Sequence, residues 1–373
     1  MGVQAYPSRP DLPLPTRMAR ASRSGRKVVG LDVEPTHVAA AEASVNGHVA
    51  VERAAVQPLA PGLVRDGEVT DADGLATVLK EFFSRNKLPK RVRLGVANQR
   101  IVVRTIDLPP LDEGRELDAA VRFQAQEHIP MSLDQAVLDF HPLGRVETDQ
   151  GERTRVVLVA ARRDMIERLL SAVRGAGLRP EGIDLSAFAM IRALGHQRPD
   201  GEGEGGAELY VSVGGMTNLA IAAGGICLFT RVSTTGLDGM ITDLAERRGL
   251  TRDHAEQWLA HVGLVAPVDG IEGDTEIVGD ARTVLAAGVD RIVDDVRNSL
   301  DFYSTQGTGL AVERAVVTGP AVGIPGFVDQ LDNGLAVSVG SATVAEARPG
   351  ALNGLQPGQV TVAAGLAVSE VGP

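Results

Sequence analysis

The residues best placed to do chemistry lie in two short turns. One is Gly214-Gly215-Met216-Thr217, which follows the apolar run Leu209–Val213 inside the stretch ELYVSVGGMTNLAIAAGGICLFTRVSTTGLDG at Glu208–Gly239. A turn of small residues between buried strands lets backbone approach a ligand with no side chain in the way. Its successive N–H groups form a nest for an anion, typically phosphate. An ordinary β-meander with small turn residues reads the same way. The second turn tips the balance. Lys27–Leu59 repeats the plan: strand Val28–Val33, turn Glu34–His37, strand Val38–Val45, the hairpin signal Asn46-Gly47, and strand His48–Val56. Asp32 and Ser212 occupy matching places at the ends of the two first strands. Two such units far apart predict two similar domains, each offering a turn to a shared cleft.

Other chemistries find little support. The one cysteine, Cys227, allows no intrachain disulfide and no cysteine metal site, and the seven histidines show no metal-ligand spacing. No Ser–His–Asp arrangement can be inferred. A net charge of −11 argues against nucleic acid, which needs a basic stripe. The chain has 373 residues, enough for two domains, and aromatics are only 3%, so the core must be built from Val, Leu, Ile and Ala. No apolar run is long enough to span a membrane and no signal peptide is visible. Residues 1–26 read as a disordered tail whose Arg17, Arg20, Arg23 and Arg26, with Lys27, are either solvated or close to an anionic membrane surface.

The elements that must position the turns follow from periodicity. Helices are expected at Val69–Lys87 (capped by Thr70 or Asp71), Leu111–His128, Asp164–Arg174 (N-cap Asp164), Ser186–Leu194, Leu237–Arg248, Arg252–His261 (capped by Thr251), Asp280–Tyr303, Ile324–Leu331 and Val360–Glu370. Strands are expected at Arg91–Asn98, Ile101–Leu108, Ala136–Leu143, Thr154–Ala161, Gly182–Leu185, Arg314–Thr318 and Gly334–Val339. Gly144–Arg153 reads as a loose hairpin, Val265–Gly279 as a loop, Gly319–Gly323 as a tight turn, and Pro199–Gly206 as a linker.

Several segments, in this order, resemble the PilM family, actin-like cytoplasmic proteins of type IV pilus assembly machines. They are VVGLDV at 28–33, RTIDLP at 104–109, FQAQEHIP at 123–130, VVLVAARR at 156–163, GLRPEGID at 177–184, RNSLDFY at 297–303 and GLA at 365–367. The resemblance implies an α/β, actin-like (ribonuclease H-like) fold of duplicated domains with an inserted small subdomain and a nucleotide in the cleft. The expected division is a tail at 1–26, a first domain at 27–97, the insert at 98–184, a return to the first domain and linker at 185–206, a second domain at 207–345, and a C-terminal helix returning to the first domain at 346–373. The implied role is an adaptor under the inner membrane. It binds the N-terminal cytoplasmic tail of a PilN-like membrane protein and communicates with the pilus assembly ATPases.

The same resemblance assigns candidate residues. ATP with magnesium would contact Asp32, Thr36, Gly214, Gly215, Thr217, Asn218, Arg297, Ser299, Gly319 and Gly323, with Asp32 holding the metal through water. The partner peptide would lie between the first domain and the insert, near Arg104, Ile106, Leu108, Leu117, Val121 and Gln124. Each of these has a plainer reading: Asp32 as a strand-end residue, Thr217 and Asn218 satisfying their own turn, Arg297 and Ser299 on a solvated helix face.

The chain departs from the family pattern at all three nucleotide turns. After Asp32 the family's glycine is Glu34 and its lysine is Ala39, while Pro35 has no N–H. A carboxylate about 4 Å from a phosphate charge costs on the order of 4 kcal/mol at an effective dielectric near 20. Ser212 stands where an acid would orient a metal-bound water, and Pro320 where the adenosine turn has a second glycine. Weak or absent ATP binding and negligible hydrolysis are therefore expected. The alternatives are an ATP-binding enzyme of the same superfamily, such as a sugar kinase, which Ser212 weighs against, and a filament-forming scaffold.

Overall fold

The computed structural model describes residues 27–195, 206–305 and 310–368. The expected tail and most of the Pro199–Gly206 linker lie outside the described residues. Lys27 lies at the edge of the tail; its Nζ is 2.7 Å from Glu52, so its charge is paired within the fold.

In chain order the elements are β1 (Val29–Val33), β2 (His37–Val45), β3 (Val49–Pro58), the short hairpin β4 (Val64–Arg65) and β5 (Glu68–Val69), α1 (Ala72–Arg85), β6 (Arg91–Val96), β7 (Val102–Leu108), α2 (Arg115–His128), β8 (Ala136–Thr148), β9 (Gly151–Arg162), α3 (Arg163–Gly175), β10 (Arg179–Leu185) and α4 (Ser186–Leu194). The second half has β11 (Ala207–Val213), β12 (Thr217–Ala223), β13 (Ile226–Ser233), α5 (Leu237–Arg248), α6 (Arg252–Val262), α7 (Thr275–Thr305), β14 (Val312–Thr318), α8 (Phe327–Gly334), β15 (Ser338–Ser341), β16 (Ala345–Glu346) and α9 (Thr361–Ala367).

The described residues form two compact units: residues 102–161, and a larger body made of those within 27–101 and 162–368. The insert is thus shorter than the expected 98–184. α3 packs on α1, and β10 pairs in parallel with β6, so both belong to the body.

Within the body the duplication is plain. One sheet has the order β10-β6-β1-β2-β3-β16; the other, read the same way, is β15-β14-β11-β12-β13. In each, the first three strands run antiparallel and the outer two run parallel to the first. The chain returns to the first sheet through β16, which pairs with β3. Alternation along the strands sorts side chains into layers. Val29 and Leu31 face α1 and α3, where Leu75, Leu79 and Phe82 complete a core. Leu209, Val211 and Val213 face α5 to α8. Between the sheets, α4 and α9 share a third core with Ala39, Ala41, Tyr210, Ala220 and Val316. That middle layer is thin. A Cβ on Gly30 of β1 would lie 1.9 Å from the Ala363 carbonyl, and one on Gly365 of α9 would lie 1.9 Å from the Ala189 carbonyl of α4.

The unit at 102–161 is a three-stranded sheet in the order β7-β9-β8 with α2 on one face. α2 begins at Arg115, not Leu111, because the Leu111 N–H and C=O are both tied to the Thr154 hydroxyl, at 3.1 and 2.9 Å. The hairpin expected at 144–153 is present but not loose: β8 and β9 run through it with polar residues and close at Asp149-Gln150, where Thr148 Oγ1 donates to the Gly151 carbonyl.

Other boundaries shift for local reasons. Asp71 alone caps α1, accepting from the Gly74 N–H at 2.9 Å. Arg162 takes the N-cap place of α3, and Asp164 lies in the first turn gripping the Arg162 guanidinium at 2.9 and 2.7 Å. α7 starts inside the expected loop because Asp274 accepts from the Glu276 and Ile277 N–H groups. The stretch after β14 is a short 3-10 turn at Pro320–Gly323, which delays α8 to Phe327 and β15 to Ser338. The last helix ends at Ala367; Glu370 lies outside the described residues.

The thin middle layer makes a direct prediction. Gly365→Ala should destabilise the protein by about 2–3 kcal/mol, because its methyl group meets backbone. Gly239→Ala on α5, where a Cβ meets nothing within 4 Å, should be neutral or gain about 1 kcal/mol. Urea denaturation of both variants checks the pair; equal midpoints would contradict the packing.

Candidate functional site

β1 and β11 are the central strands of their sheets, and the turns that follow them meet. Asp32 and Ser212 lie one residue from the ends of these strands, in register opposite Ala39 and Asn218. Both point away from the outer cores into the middle layer. Asp32 is buried, and its Oδ1 accepts from Ser186 Oγ at the start of α4 at 3.3 Å. Ser212, Asn218 and Glu34 line a cavity of about 10 Å³ with Asp32 and Ser186, about the least space that holds one water. Asn218 Oδ1 is buried there and has no hydrogen-bond partner among the described residues.

Glu34 is the residue whose role differs most from expectation. Its Oε2 accepts from the Gly215 N–H at 2.8 Å, joining the first turn to the second. Where Gly214 has no side chain, the Glu34 carboxyl fills the space: a Cβ there would lie 2.1 Å from Oε2. His37 stands near, with Nδ1 3.0 Å from Thr36 Oγ1 and 4.0 Å from Glu34 Oε2. Burial pushes the Asp32 carboxyl up to about 7, and the neighbouring Glu34 adds to the rise. Burial also pushes Glu34 up to about 7, while the Gly215 N–H pulls it down. Burial lowers His37 against the opposing pull of Asp32 and Glu256, so the ring is neutral at pH 7.

The other candidates disperse. Thr36 and Gly215 do meet, at the contact of the two turns. Thr217 is buried and its hydroxyl donates at 2.7 Å to the Thr235 carbonyl, in the loop between β13 and α5 and not in its own turn. Arg297 is exposed and donates to the Gly334 carbonyl at the end of α8. Ser299 is fully buried and donates to the Asp295 carbonyl at 2.6 Å. Two residues apart on a helix, their side chains diverge and do not form one surface. Gly319 has φ 95° and packs against the Val213 backbone, with the Gly319 carbonyl lying 2.4 Å from where Gly358 would carry a Cβ. Gly323 lies near Gln356, its Cβ position 3.9 Å away. As arranged here, the turns do not fit a magnesium-bound triphosphate: the Gly215 N–H is taken, the Gly319 turn is covered, and the cavity is water-sized.

In the smaller unit, Ile106, Leu108, Leu117 and Val121 are buried in the core between α2 and its sheet. They hold the unit together and are not open to a peptide, contrary to expectation; the periodicity that marks an apolar face is the same for a core as for a groove. Arg104 is exposed and Gln124 half-exposed, and Phe123 beside it is 69% exposed. Among residues the sequence reading passed over, Ser186 had no signal, and Glu34 was visible only as a charge in an unsuitable place.

A sequence profile described as type IV pilus assembly protein PilM matches residues 30–347. Among solved structures, the "PilM-PilN type IV pilus biogenesis complex" has a chain 27% identical, with a TM-score of 0.76, covering 93% of this chain and 99% of that one. Ethanolamine utilization protein EutJ from Carboxydothermus hydrogenoformans is 16% identical with a TM-score of 0.52, covering 92% and 90% of the two chains. MreB5 of Spiroplasma citri bound to AMPPNP is 14% identical with a TM-score of 0.51, covering 92% and 95%. The last two likenesses concern the fold alone, which is the actin-like one.

The raised carboxyl gives a pH test with a definite sign. Because Glu34 holds its proton more tightly when folded, its contribution to stability is full below the ordinary carboxyl value and is lost as pH rises through about 7. Glu34→Gln keeps an oxygen acceptor and cannot ionise. Its stability relative to the unsubstituted protein should therefore increase by on the order of 2–3 kcal/mol between about pH 4.5 and pH 8. Denaturation midpoints across that range check this; a difference flat with pH would contradict it.

Proposed function

This chain belongs to the PilM family of type IV pilus assembly proteins, and we propose that it is a non-enzymatic adaptor for the N-terminal tail of a PilN-like membrane protein. The observation that carries this reading is the strength of the match to the PilM-PilN complex, 27% identical with a TM-score of 0.76, against TM-scores of 0.52 and 0.51 for EutJ and MreB5 at nearly the same coverage. At 93% coverage that match takes in the segment 102–161 as well as the duplicated body.

The tail docks on the inserted unit. With its apolar candidates committed to the core, recognition falls to the exposed Phe123 ring, helped by the Arg104 guanidinium and the Gln124 amide, which would exchange their bonds to the Val103 carbonyl and to Glu127, each 2.9 Å, for bonds to the peptide. An exposed aromatic ring is a good anchor for an apolar peptide, since it buries a large area at little cost in side-chain freedom. No helix among the described residues is long and apolar enough to cross a membrane. In this reading the protein works at the cytoplasmic side of the inner membrane, held there by its partner, and passes the connection on to the pilus assembly ATPases. ATP and magnesium play no part in it, in keeping with Glu34 on the second turn and with Ser212 in place of an acid.

Titration calorimetry with a synthetic tail peptide tests this. The expected result is saturable binding, weakened roughly tenfold or more by Phe123→Ala and unchanged by ATP with magnesium. No binding at high micromolar peptide, or affinity that appears only with ATP, would contradict it.

A further inference from the structure

The two turns that would grip a ligand between them grip each other. Glu34 Oε2 accepts from the Gly215 N–H at 2.8 Å and occupies the space left open by Gly214. Thr36 and Pro35 close over Gly215, their atoms 3.1 to 3.3 Å from where its Cβ would be. Three consecutive residues of the first turn are thus seated on two glycines of the second. The third turn is shut in the same manner, with the Gly319 backbone against Val213 and Gly358, and with the buried hydroxyls of Thr318 and Thr361 2.8 Å apart. What remains is the small cavity beside Asp32 and Asn218.

We infer that Glu34 is a built-in ligand: the chain supplies, from its own first turn, the oxygen acceptor that the second turn would otherwise take from a bound anion, and so latches its two lobes together. The chemistry suits the task. A carboxyl offers acceptor oxygens at about the reach of a phosphate oxygen, and it keeps a carbonyl acceptor even when protonated. The Gly214 N–H donates to the Met216 carbonyl at 2.9 Å within the turn, so the buried Gly215 N–H is the one that needs an outside acceptor, and leaving it unmatched costs about 1–3 kcal/mol. Glycine at 214 is what admits the carboxyl, since any side chain there would collide with Oε2. An incoming phosphate would have to displace Glu34 and would then face a buried acidic group. The lobes therefore hold one closed arrangement with no added ligand, and the shape offered to partners does not depend on nucleotide. This inference concerns the body alone and stands apart from the peptide reading.

Hydrogen–deuterium exchange of the full chain tests it, read on the peptide spanning Val213–Thr217. Glu34→Ala should speed exchange there roughly tenfold or more, the size of one lost hydrogen bond to an ionisable group. Gly214→Ala should do the same, because its methyl pushes the carboxyl off Gly215. The double variant should exchange no faster than either alone, because both remove one contact. Should Glu34→Ala fail to fold, Glu34→Asp, one methylene too short to reach, reads the same exchange. Unchanged exchange in a folded Glu34 variant, or effects of the two substitutions that multiply, would overturn the inference.

Discussion

Backbone packed directly on backbone is the constraint on which the rest of this structure depends. α9 lies between the two sheets close enough to β1 and α4 that neither Gly30 nor Gly365 has space for a methyl group. The composition becomes intelligible here: α9 meets β1 and α4 through Gly30, Gly365, Ala363 and Ala189, while longer side chains such as Met190, Leu194 and Tyr210 fill the rest of that middle core and Phe82 and Phe327 lie in the outer ones. The same thinness brings the ends of β1 and β11 together, so that their turns touch.

At that meeting point the physics is a balance between burial and hydrogen bonding. Asp32 and Glu34 are acids taken out of water close to one another, which raises the cost of ionising either. The Ser186 hydroxyl and the Gly215 N–H compensate in part. An acidic residue in a phosphate turn is a liability if a phosphate is expected. It is an asset if the turn opposite has a buried N–H to satisfy. The geometry selects the second description, and it gives Glu34, Pro35 and the Gly214-Gly215 pair a common reason.

Much of the fold was legible in the chain. Alternating apolar residues and turn signals such as Asn46-Gly47 located both three-strand units, and the shared plan, with Asp32 matching Ser212, revealed the duplication. The errors came where local pattern is silent. The facing ends of β8 and β9 are polar and have no apolar alternation to extend the strands to Thr148 and from Gly151. Leu111 looked helical until Thr154, far along the chain, claimed its backbone. The site was legible only by half. Glu34, Ser212 and Pro320 stood out as departures, yet the partner that Glu34 finds lies 181 residues away on the other sheet, a pairing that one sequence does not contain. Likewise Ile106 and Leu108 on β7 and Leu117 and Val121 on α2 were expected to line a peptide groove, but whether apolar positions form a core or a groove depends on what covers them.

The most direct measurement is a crystal structure of the unsubstituted protein grown with excess ATP and magnesium. The account predicts density for Glu34 Oε2 on the Gly215 N–H with the lobes closed and no triphosphate between the turns. A triphosphate seated on Gly214-Gly215 with Glu34 swung away would contradict it.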